Sequence, residues 1–363
     1  MIRLKATLLT FAIAGAGAAL FAALALPLPF LLGPMFACLA AALAGFAPTA
    51  PKQLSMAMRT ILGVAVGASV TPELIGRIGD FAVSVALVPV FVALIGLIGY
   101  PYFRRACGFD RVTAYYAAMP GGLQDMILFG QEAGGDARAL SLVHATRVLV
   151  IVALMPILLT LIWGVPLDNP PGRPATDIPL SDLAVMLACA LIGWKGGERI
   201  GLFGAAILGP MALAAPASLL GLTQNRPPAE AILLAQFFIG LGIGSYYTGV
   251  TAQELRRVVA AALGYCAILA ILALVFAEFV TLTGAAPGME AALAFAPGGQ
   301  AEMVVLAIVA GADMTYVVTL HLSRLIIVIL GAPIAMRLTR GAENRLQDRP
   351  QDRPQDRGDG HGP

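Results

Sequence analysis

The sequence predicts an all-α polytopic membrane protein of two tandem, inverted repeats, each with about five membrane crossings and one broken or re-entrant helix. Three observations predict this fold: an apolar composition, a series of apolar segments, and a Pro-Gly-Gly motif that recurs with its surroundings. Hydrophobic residues make up 59% of the 363 residues, and charged residues make up only 12%. A soluble domain carries roughly 25% charged residues, so most of this surface must face lipid.

Apolar segments recur along almost the whole chain, and a transmembrane helix needs about 20 mainly apolar residues. The segments of the first half are 8–26, 30–46, 54–70, 81–103, 112–133 and 139–163. Those of the second half are 183–194, 200–220, 231–247, 258–282, 291–310 and 314–336. The first segment resembles a secretory signal peptide. Apolar sequence resumes directly after it, which favours a membrane helix whose N-terminus is cytoplasmic.

Composition divides the chain into two membrane repeats, a linker and a tail. Repeat 1 covers residues 1–164, and repeat 2 covers residues 182–337. The linker, 165–181, is rich in Pro and Asp, which favour turns. The tail, 338–363, repeats the tetrapeptide Gln-Asp-Arg-Pro and is too polar to form a core. We therefore expect a disordered cytoplasmic tail.

An internal duplication relates the two halves. The motif Pro120-Gly121-Gly122 recurs 177 residues further on as Pro297-Gly298-Gly299. The same offset relates further unlike residues, namely Asp125 and Glu302, Met126 and Met303, Gly134 and Gly311, Asp136 and Asp313, His144 and His321, Arg147 and Arg324, and Pro156 and Pro333. A fixed offset through so many residue types indicates two copies of one structural unit.

The charges between segments predict the orientation of the second copy, because cytoplasmic loops carry an excess of Lys and Arg. If all six segments of each half cross, the 14 Lys and Arg residues between segments or at the N-terminus divide 8 to 6. If the Pro-Gly-Gly segment instead enters and returns on one side, the same residues divide 11 to 3. Five crossings per half, with an inverted second copy, are therefore predicted. Another non-crossing segment would give the same parity.

The two Pro-Gly-Gly motifs predict a break in each apolar segment, because Pro removes a backbone donor and Gly favours non-helical angles. Irregular backbone at membrane depth is tolerated where it is buried in protein or lines a wet cavity. Breaks at corresponding positions of two halves are typical of the binding site of a transporter. We therefore place the candidate site at these two breaks.

A carboxylate follows each break by three residues, as Asp125 or Glu302, and Gln124 and Gln300 add polar groups beside it. A carboxylate in the first turn of a helix is stabilised by the helix dipole. The two acids therefore either cap their own half-helices or form a cation or proton site shared by the two copies.

His144 and Arg147 share one face of the next helix, and His321 and Arg324 repeat the pattern. Ionisable residues inside a membrane span usually face the protein interior, paired or in water. One interpretation is that each Arg neutralises the acid of its own repeat. The other is that Arg binds an anionic solute while His, which titrates near neutral pH, passes protons.

Other classes of site find little support in the sequence. The net charge of +2 and the lack of basic clusters interleaved with aromatics argue against nucleic-acid binding. The four cysteines are far apart and read as small core residues. Two His and two acids could converge on a metal, but no Cys/His cluster is present, and we expect no metal and no cofactor.

The doubled pattern of Gly-Pro-Met, a Gly-Val-Ala-Val-Gly-type segment and Pro-Gly-Gly followed by an acid and His-x-x-Arg resembles the bacterial membrane AbrB family over residues 8–337. Members of that family have been labelled putative ammonia monooxygenases or regulators of gene expression. The resemblance implies a fold similar to sodium–proton antiporters and bile-acid symporters, with inverted repeats and broken helices. It does not imply the short, β-rich DNA-binding regulator that shares the name AbrB.

These features together predict an integral inner-membrane protein that transports or exports a small solute by alternating access. The sequence leaves open the solute, a proton or sodium as coupling ion, and homo-oligomer formation. A membrane sensor that alters gene expression is the alternative function. A membrane monooxygenase is the weakest hypothesis, because the metal ligands that such an enzyme needs are missing.

Overall fold

The described α-helices of eight or more residues fall into two series of seven, in the same order along the chain. The computed structural model describes residues 2–70, 72, 76, 78–167, 170–202 and 204–347. The first series is α1 (Ile2–Ala23), α2 (Pro29–Leu43), α3 (Lys52–Gly67), α4 (Ala82–Pro101), α5 (Arg111–Ala118), α6 (Leu123–Glu132) and α7 (Ala137–Trp163). The second is α8 (Leu180–Arg199), α9 (Ala205–Leu219), α10 (Ala229–Ser245), α11 (Ala260–Leu282), α12 (Gly288–Phe295), α13 (Gln300–Ala310) and α14 (Met314–Gln347).

Every predicted apolar segment overlaps at least one of these helices, and no strand occurs among the described residues. In the part of the chain that the structure describes, six helices are long and apolar enough to cross a membrane, and they form three corresponding pairs: α1 and α8, α4 and α11, and α7 and α14. The prediction of an all-helical membrane protein is confirmed. Two further pairs, α2 with α9 and α3 with α10, have 15–17 residues.

The short helices pack closely across the two halves, α2 against α10 and α3 against α9. At Gly63 of α3 an added Cβ would overlap the carbonyl oxygen of Ile207 in α9. At the corresponding Gly240 of α10 it would overlap the carbonyl oxygen of Leu31 in α2. The same glycine contact therefore joins the halves twice, with their roles exchanged.

The corresponding helices α4 and α11 run antiparallel to one another. Tyr102, directly after α4, donates a hydrogen bond of 2.9 Å to the carbonyl of Ala261, at the start of α11. Phe91, in the middle of α4, packs on Phe276, near the end of α11, with ring centroids 5.0 Å apart. The end of one helix thus meets the beginning of its counterpart.

Each Pro-Gly-Gly motif separates two short helices, where the sequence suggests one apolar segment. The chain reverses between α5 and α6. This is shown by the hydrogen bond of 2.8 Å that the backbone NH of Asp136, just after α6, donates to Thr113 Oγ1, near the start of α5. At 1.5 Å per residue, α5 and α6 are about 12 and 15 Å long, roughly half the hydrocarbon core. We call this unit hairpin 1, and the corresponding α12–α13 unit, whose helices also pack together, hairpin 2.

The C-terminal end differs from the prediction. Helix α14 continues to Gln347, past residue 338, from which the sequence predicts disorder. The segment Ala342–Gln347 contains Ala, Glu, Arg, Leu and Gln, which are good helix formers, and its helix grows from the span before it. The rest of the predicted tail, 348–363, lies outside the described residues.

Candidate functional site

The His and Arg residues of each repeat hold the backbone of their own hairpin. Arg147 donates hydrogen bonds to the carbonyls of Met119, at 3.2 Å, and Gly121, at 2.8 Å. His144 Nε2 donates to the carbonyl of Tyr116 over 3.1 Å. The carbonyls of Met119 and Gly121 lie in the break, where no following helical turn supplies NH donors, whereas that of Tyr116 also accepts from the backbone NH of Met119 over 3.3 Å. The side chains of α7 therefore replace the hydrogen bonds that the break removes.

The second repeat has the same three hydrogen bonds to the backbone, displaced by 177 residues, and one further bond between its His and its Arg. Arg324 donates to the carbonyls of Ala296, at 2.9 Å, and Gly298, at 3.1 Å. His321 Nε2 donates to the carbonyl of Leu293 over 3.0 Å, and His321 Nδ1 accepts from Arg324 Nη2 at 2.9 Å. Both ring nitrogens of His321 are thus engaged in fixing the hairpin.

This network differs from the ion pair that the sequence suggests between each arginine and the acid of its own repeat. Among the described residues, no hydrogen bond joins Arg147 to Asp125 or Arg324 to Glu302. Both guanidinium groups are buried, with Arg147 2% and Arg324 6% exposed. Each guanidinium presents several NH donors in one plane, so that it donates to two backbone carbonyls at once.

One cavity of about 460 Å³ brings the two breaks together. The first residues of α6 and of α13 both line it, and so do parts of both halves of the scaffold. We call it the central cavity. The residues of the predicted site that line it are Gly122, Asp125, Gly299, Gln300 and Glu302.

The two predicted acids of the central cavity, Asp125 and Glu302, lie at the third position of their half-helices. Each of these helices is preceded by a glycine N-cap, Gly122 or Gly299, which offers no side chain to the free NH groups. The carboxylate of Glu302 folds back towards Gly299, where an added Cβ would overlap Glu302 Oε2. Glu302 is 5% exposed, whereas Asp125 is half-buried. Glu302 also lies within electrostatic range of Arg147 from the other repeat.

The other predicted residues do not reach the cavity. Pro120, Gly121, Pro297 and Gly298 are buried in the turns of the hairpins. The four His and Arg residues lie behind those turns and support them. The side chain of Gln124 lies outside the described part of the structure. The five lining residues are therefore candidates for direct contact with a solute, and the others are candidates for a supporting role.

Three polar residues of the cavity are missing from the predicted site: Arg59 on α3, Glu198 on α8 and Tyr246 just after α10. Arg59 acts electrostatically on Asp125. A charged residue within an otherwise apolar segment is itself a signal of function, and Arg59 meets that description. Glu198 and Tyr246 lie at helix ends, where polar residues are common, so the sequence carries no such signal for them.

The described residues contain no group of three or more His, Cys, Asp or Glu side chains that could hold a metal ion. The polar groups of the central cavity are carboxylates, a guanidinium, a phenol and an amide, together with backbone NH groups of two helix starts. Such groups bind small charged or polar solutes by hydrogen bonds and ion pairs.

The fold and its two supported hairpins define a polytopic α-helical membrane protein with a central cavity between two halves of the same helix order. The model of the family described as "Transition state regulatory protein AbrB" matches residues 30–340, and the chain belongs to this family. It is 27% identical over 365 residues to a Bacillus subtilis (strain 168) protein named "Uncharacterized protein YhjN", covering 93% of this chain and 94% of that one. It is 25% identical over 323 residues to the Escherichia coli (strain K12) "Putative regulator AbrB", covering 87% and 91%.

Proposed function

We propose that this protein is a secondary transporter or exporter of a small solute in the bacterial inner membrane. The observation that carries the proposal is the central cavity, which is lined by the starts of two half-helices and by one acid from each. Half-helices that meet inside a membrane protein are typical of transporters, because their free NH groups and dipoles bind solutes or ions.

The proposal includes an inverted second repeat with cytoplasmic N- and C-termini. Two contacts support five crossings and one re-entrant hairpin per half. Thr248 Oγ1 donates to the carbonyl of Pro48 over 3.0 Å, and Arg257 Nη2 donates to that of Gly108 over 3.3 Å. With six crossings per half, the partners of each pair would lie on opposite sides of the membrane. With five crossings per half, both partners of each pair lie on the cytoplasmic side. This agrees with the direct hydrogen bonds, whose partners must lie on the same side of the membrane.

The antiparallel packing of α4 on α11 supports the same topology, because corresponding helices of inverted repeats run in opposite directions. In this topology the connection between α8 and α9 is cytoplasmic. Gly201 and Leu202 of that connection line the central cavity. The cavity therefore opens to the cytoplasm in this conformation, and hairpin 1 enters from the same side.

The test begins with a screen for the solute. Purified protein is heated with single compounds from a panel of amino acids, carboxylates, amines and sugars, and unfolding is followed by intrinsic fluorescence. A transported solute should stabilise the wild type and not the Asp125→Asn/Glu302→Gln double variant, because binding to the folded state raises the melting temperature. Flux of that compound is then measured in proteoliposomes.

We expect Asp125→Asn and Glu302→Gln each to abolish flux while the protein remains monodisperse. Both changes keep the size of the side chain and remove only its charge. Glu278→Gln, at an exposed position of α11, is the matched control and should transport normally. Normal flux in both cavity variants would contradict the assigned site.

A sensor that alters gene expression is the second candidate, and the name of the Escherichia coli relative favours it. A sensor passes its signal to a partner, for which the polar C-terminal segment is the obvious contact. Deletion of residues 341–363 should then abolish the transcriptional response while leaving solute binding unchanged. A transporter should tolerate the deletion and retain its flux.

A further inference from the structure

A second cavity, of about 740 Å³, has walls that correspond to those of the central cavity. Leu26 lines the second cavity and Leu202 the central one, and both follow the first helix of their repeat. Gln236 of α10 lines the second cavity, and its counterpart Arg59 of α3 lines the central one. The structure thus contains the same entrance wall twice, once in each repeat.

The two cavities differ in what they reach. The central cavity extends to the first turns of α6 and α13 with their acids. The second cavity instead ends at Pro156 on α7 and Val309, near the end of α13. Gln236 is only 1% exposed. The second cavity is therefore separated from the acids.

The two hairpins differ in how deeply their second helices, α6 and α13, are buried. Helix α13 is buried from Ala301 to Ala310 and packs against α3, α7 and α10, so it fills the space between the second cavity and the acids. Helix α6 packs mainly against its own neighbours α5 and α7. The side chain of Leu128 on α6 is 51% exposed, whereas its counterpart Val305 on α13 is fully buried. Hairpin 2 is docked between the halves, and hairpin 1 is not.

We infer that the second cavity is the closed entrance from the opposite, periplasmic side, and that the two hairpins exchange their docked and undocked positions. This inference rests on the proposed transport function. In the exchanged state α6 packs on α3 and α10 with Leu128 buried, α13 withdraws, and Gln236 takes the position relative to the acids that Arg59 has here. A solute then meets a guanidinium at the cytoplasmic entrance and a neutral amide at the periplasmic one.

The test uses Arg59→Cys and Gln236→Cys, each in a background where the four native cysteines are replaced by Ala. A membrane-impermeant thiol reagent is applied to inside-out and right-side-out vesicles, and the rate of modification is measured. Arg59→Cys should react in inside-out vesicles. Gln236→Cys should react more slowly, and only in right-side-out vesicles.

Two corresponding substitutions should then shift these rates in opposite directions. Val305→Asn places a polar group in the docked face of α13 and should speed modification of Gln236→Cys by about tenfold, the change that 1.4 kcal/mol produces. Leu128→Asn penalises burial of α6 and should slow it, while Arg59→Cys stays reactive. Val305→Ala, with a smaller effect in the same direction, serves if Val305→Asn is not monodisperse.

Modification of both cysteines from the same side of the membrane would overturn the inference, as would a shift in the same direction from Leu128→Asn and Val305→Asn. Labelling needs no transported solute. Modification from opposite sides without any flux would leave the inference standing and overturn only the transporter assignment. Flux of a solute together with modification of both cysteines from the same side would overturn the inference and leave the transporter assignment standing.

Discussion

A break inside a membrane helix leaves carbonyl groups without donors in a medium that supplies no water. In both repeats an arginine from the following helix donates to two of these carbonyls, and a histidine donates to a further carbonyl in the helix before the break. A guanidinium is suited to this position because it presents several NH donors in one plane and stays protonated. The His-x-x-Arg pattern is thus explained by the hydrogen-bond donors that these two side chains supply to backbone carbonyls.

Arg147→Lys should destabilise the protein by about 2–4 kcal/mol, because an ammonium cannot reach both carbonyls in the same geometry and a buried unsatisfied group costs about 1–3 kcal/mol. The measurement is thermal or chemical unfolding of purified protein in detergent. Arg138→Lys is the control, because Arg138 pairs with Glu254 at a partly exposed position. That pair is worth roughly 1 kcal/mol or less. Equal losses in the two variants would contradict the role assigned to Arg147.

Individual side chains were only partly predictable from the sequence. The acids Asp125 and Glu302 follow from their position after a repeated break, because that position has a physical meaning at a helix start. The partners of Arg147 were not predictable, since an acid and a carbonyl are both acceptable to a guanidinium. Only the distances of 2.8–3.2 Å to Met119 and Gly121 decide between them.

At the scale of helices, the contacts between the halves depend on glycine. Gly240 lets α10 approach α2 so closely that a methyl group has no space beside the carbonyl of Leu31. Gly242, two residues further along α10, has no neighbouring atom within 4 Å of an added Cβ. Gly240 is therefore required by the close contact of two helices, as small residues at helix interfaces often are, whereas Gly242 is not.

Gly240→Ala should destabilise the protein by about 1–3 kcal/mol, the usual cost of overpacking, because backbone atoms must move apart. Gly242→Ala should leave stability unchanged or raise it by about 0.5–1 kcal/mol, since Ala is the better helix former. Unfolding of the two variants under the same conditions checks this difference. A loss of stability in both would argue that the whole helix, instead of one contact, is sensitive.

The sequence predicts the position of the two hairpins but not their full geometry. A Pro-Gly-Gly motif in an apolar segment predicts a break, and both breaks are present. That hairpin 1 turns back on itself is seen only in the contact between Asp136 and Thr113, because Pro and Gly interrupt a helix without setting the direction of the chain that follows. The unequal burial of α6 and α13 follows a difference between their sequences, because four of the ten residues of α6 are polar or charged, against two of the eleven residues of α13.

At the scale of the molecule, two halves of the same helix order adopt unequal positions. Helix α13 of hairpin 2 is buried between the halves, whereas α6 of hairpin 1 is partly exposed, although corresponding His and Arg residues hold the backbone of each hairpin. The exchange of positions inferred above would let each hairpin move as a unit, because the backbone of each is held by the His and Arg of its own repeat. The charge pattern of the loops and the hydrogen bonds between loops point to one topology for this arrangement.

That topology predicts opposite sides of the membrane for two exposed arginines. Arg226 precedes α10 and should be periplasmic, whereas Arg257 precedes α11 and should be cytoplasmic. In intact cells with a permeabilised outer membrane, an impermeant maleimide should modify Arg226→Cys and should spare Arg257→Cys until the inner membrane is opened. Both variants remove one exposed positive charge, so each is a control for the other. Modification of Arg226→Cys only after the inner membrane is opened would contradict the inverted arrangement, because six crossings per half place that loop in the cytoplasm.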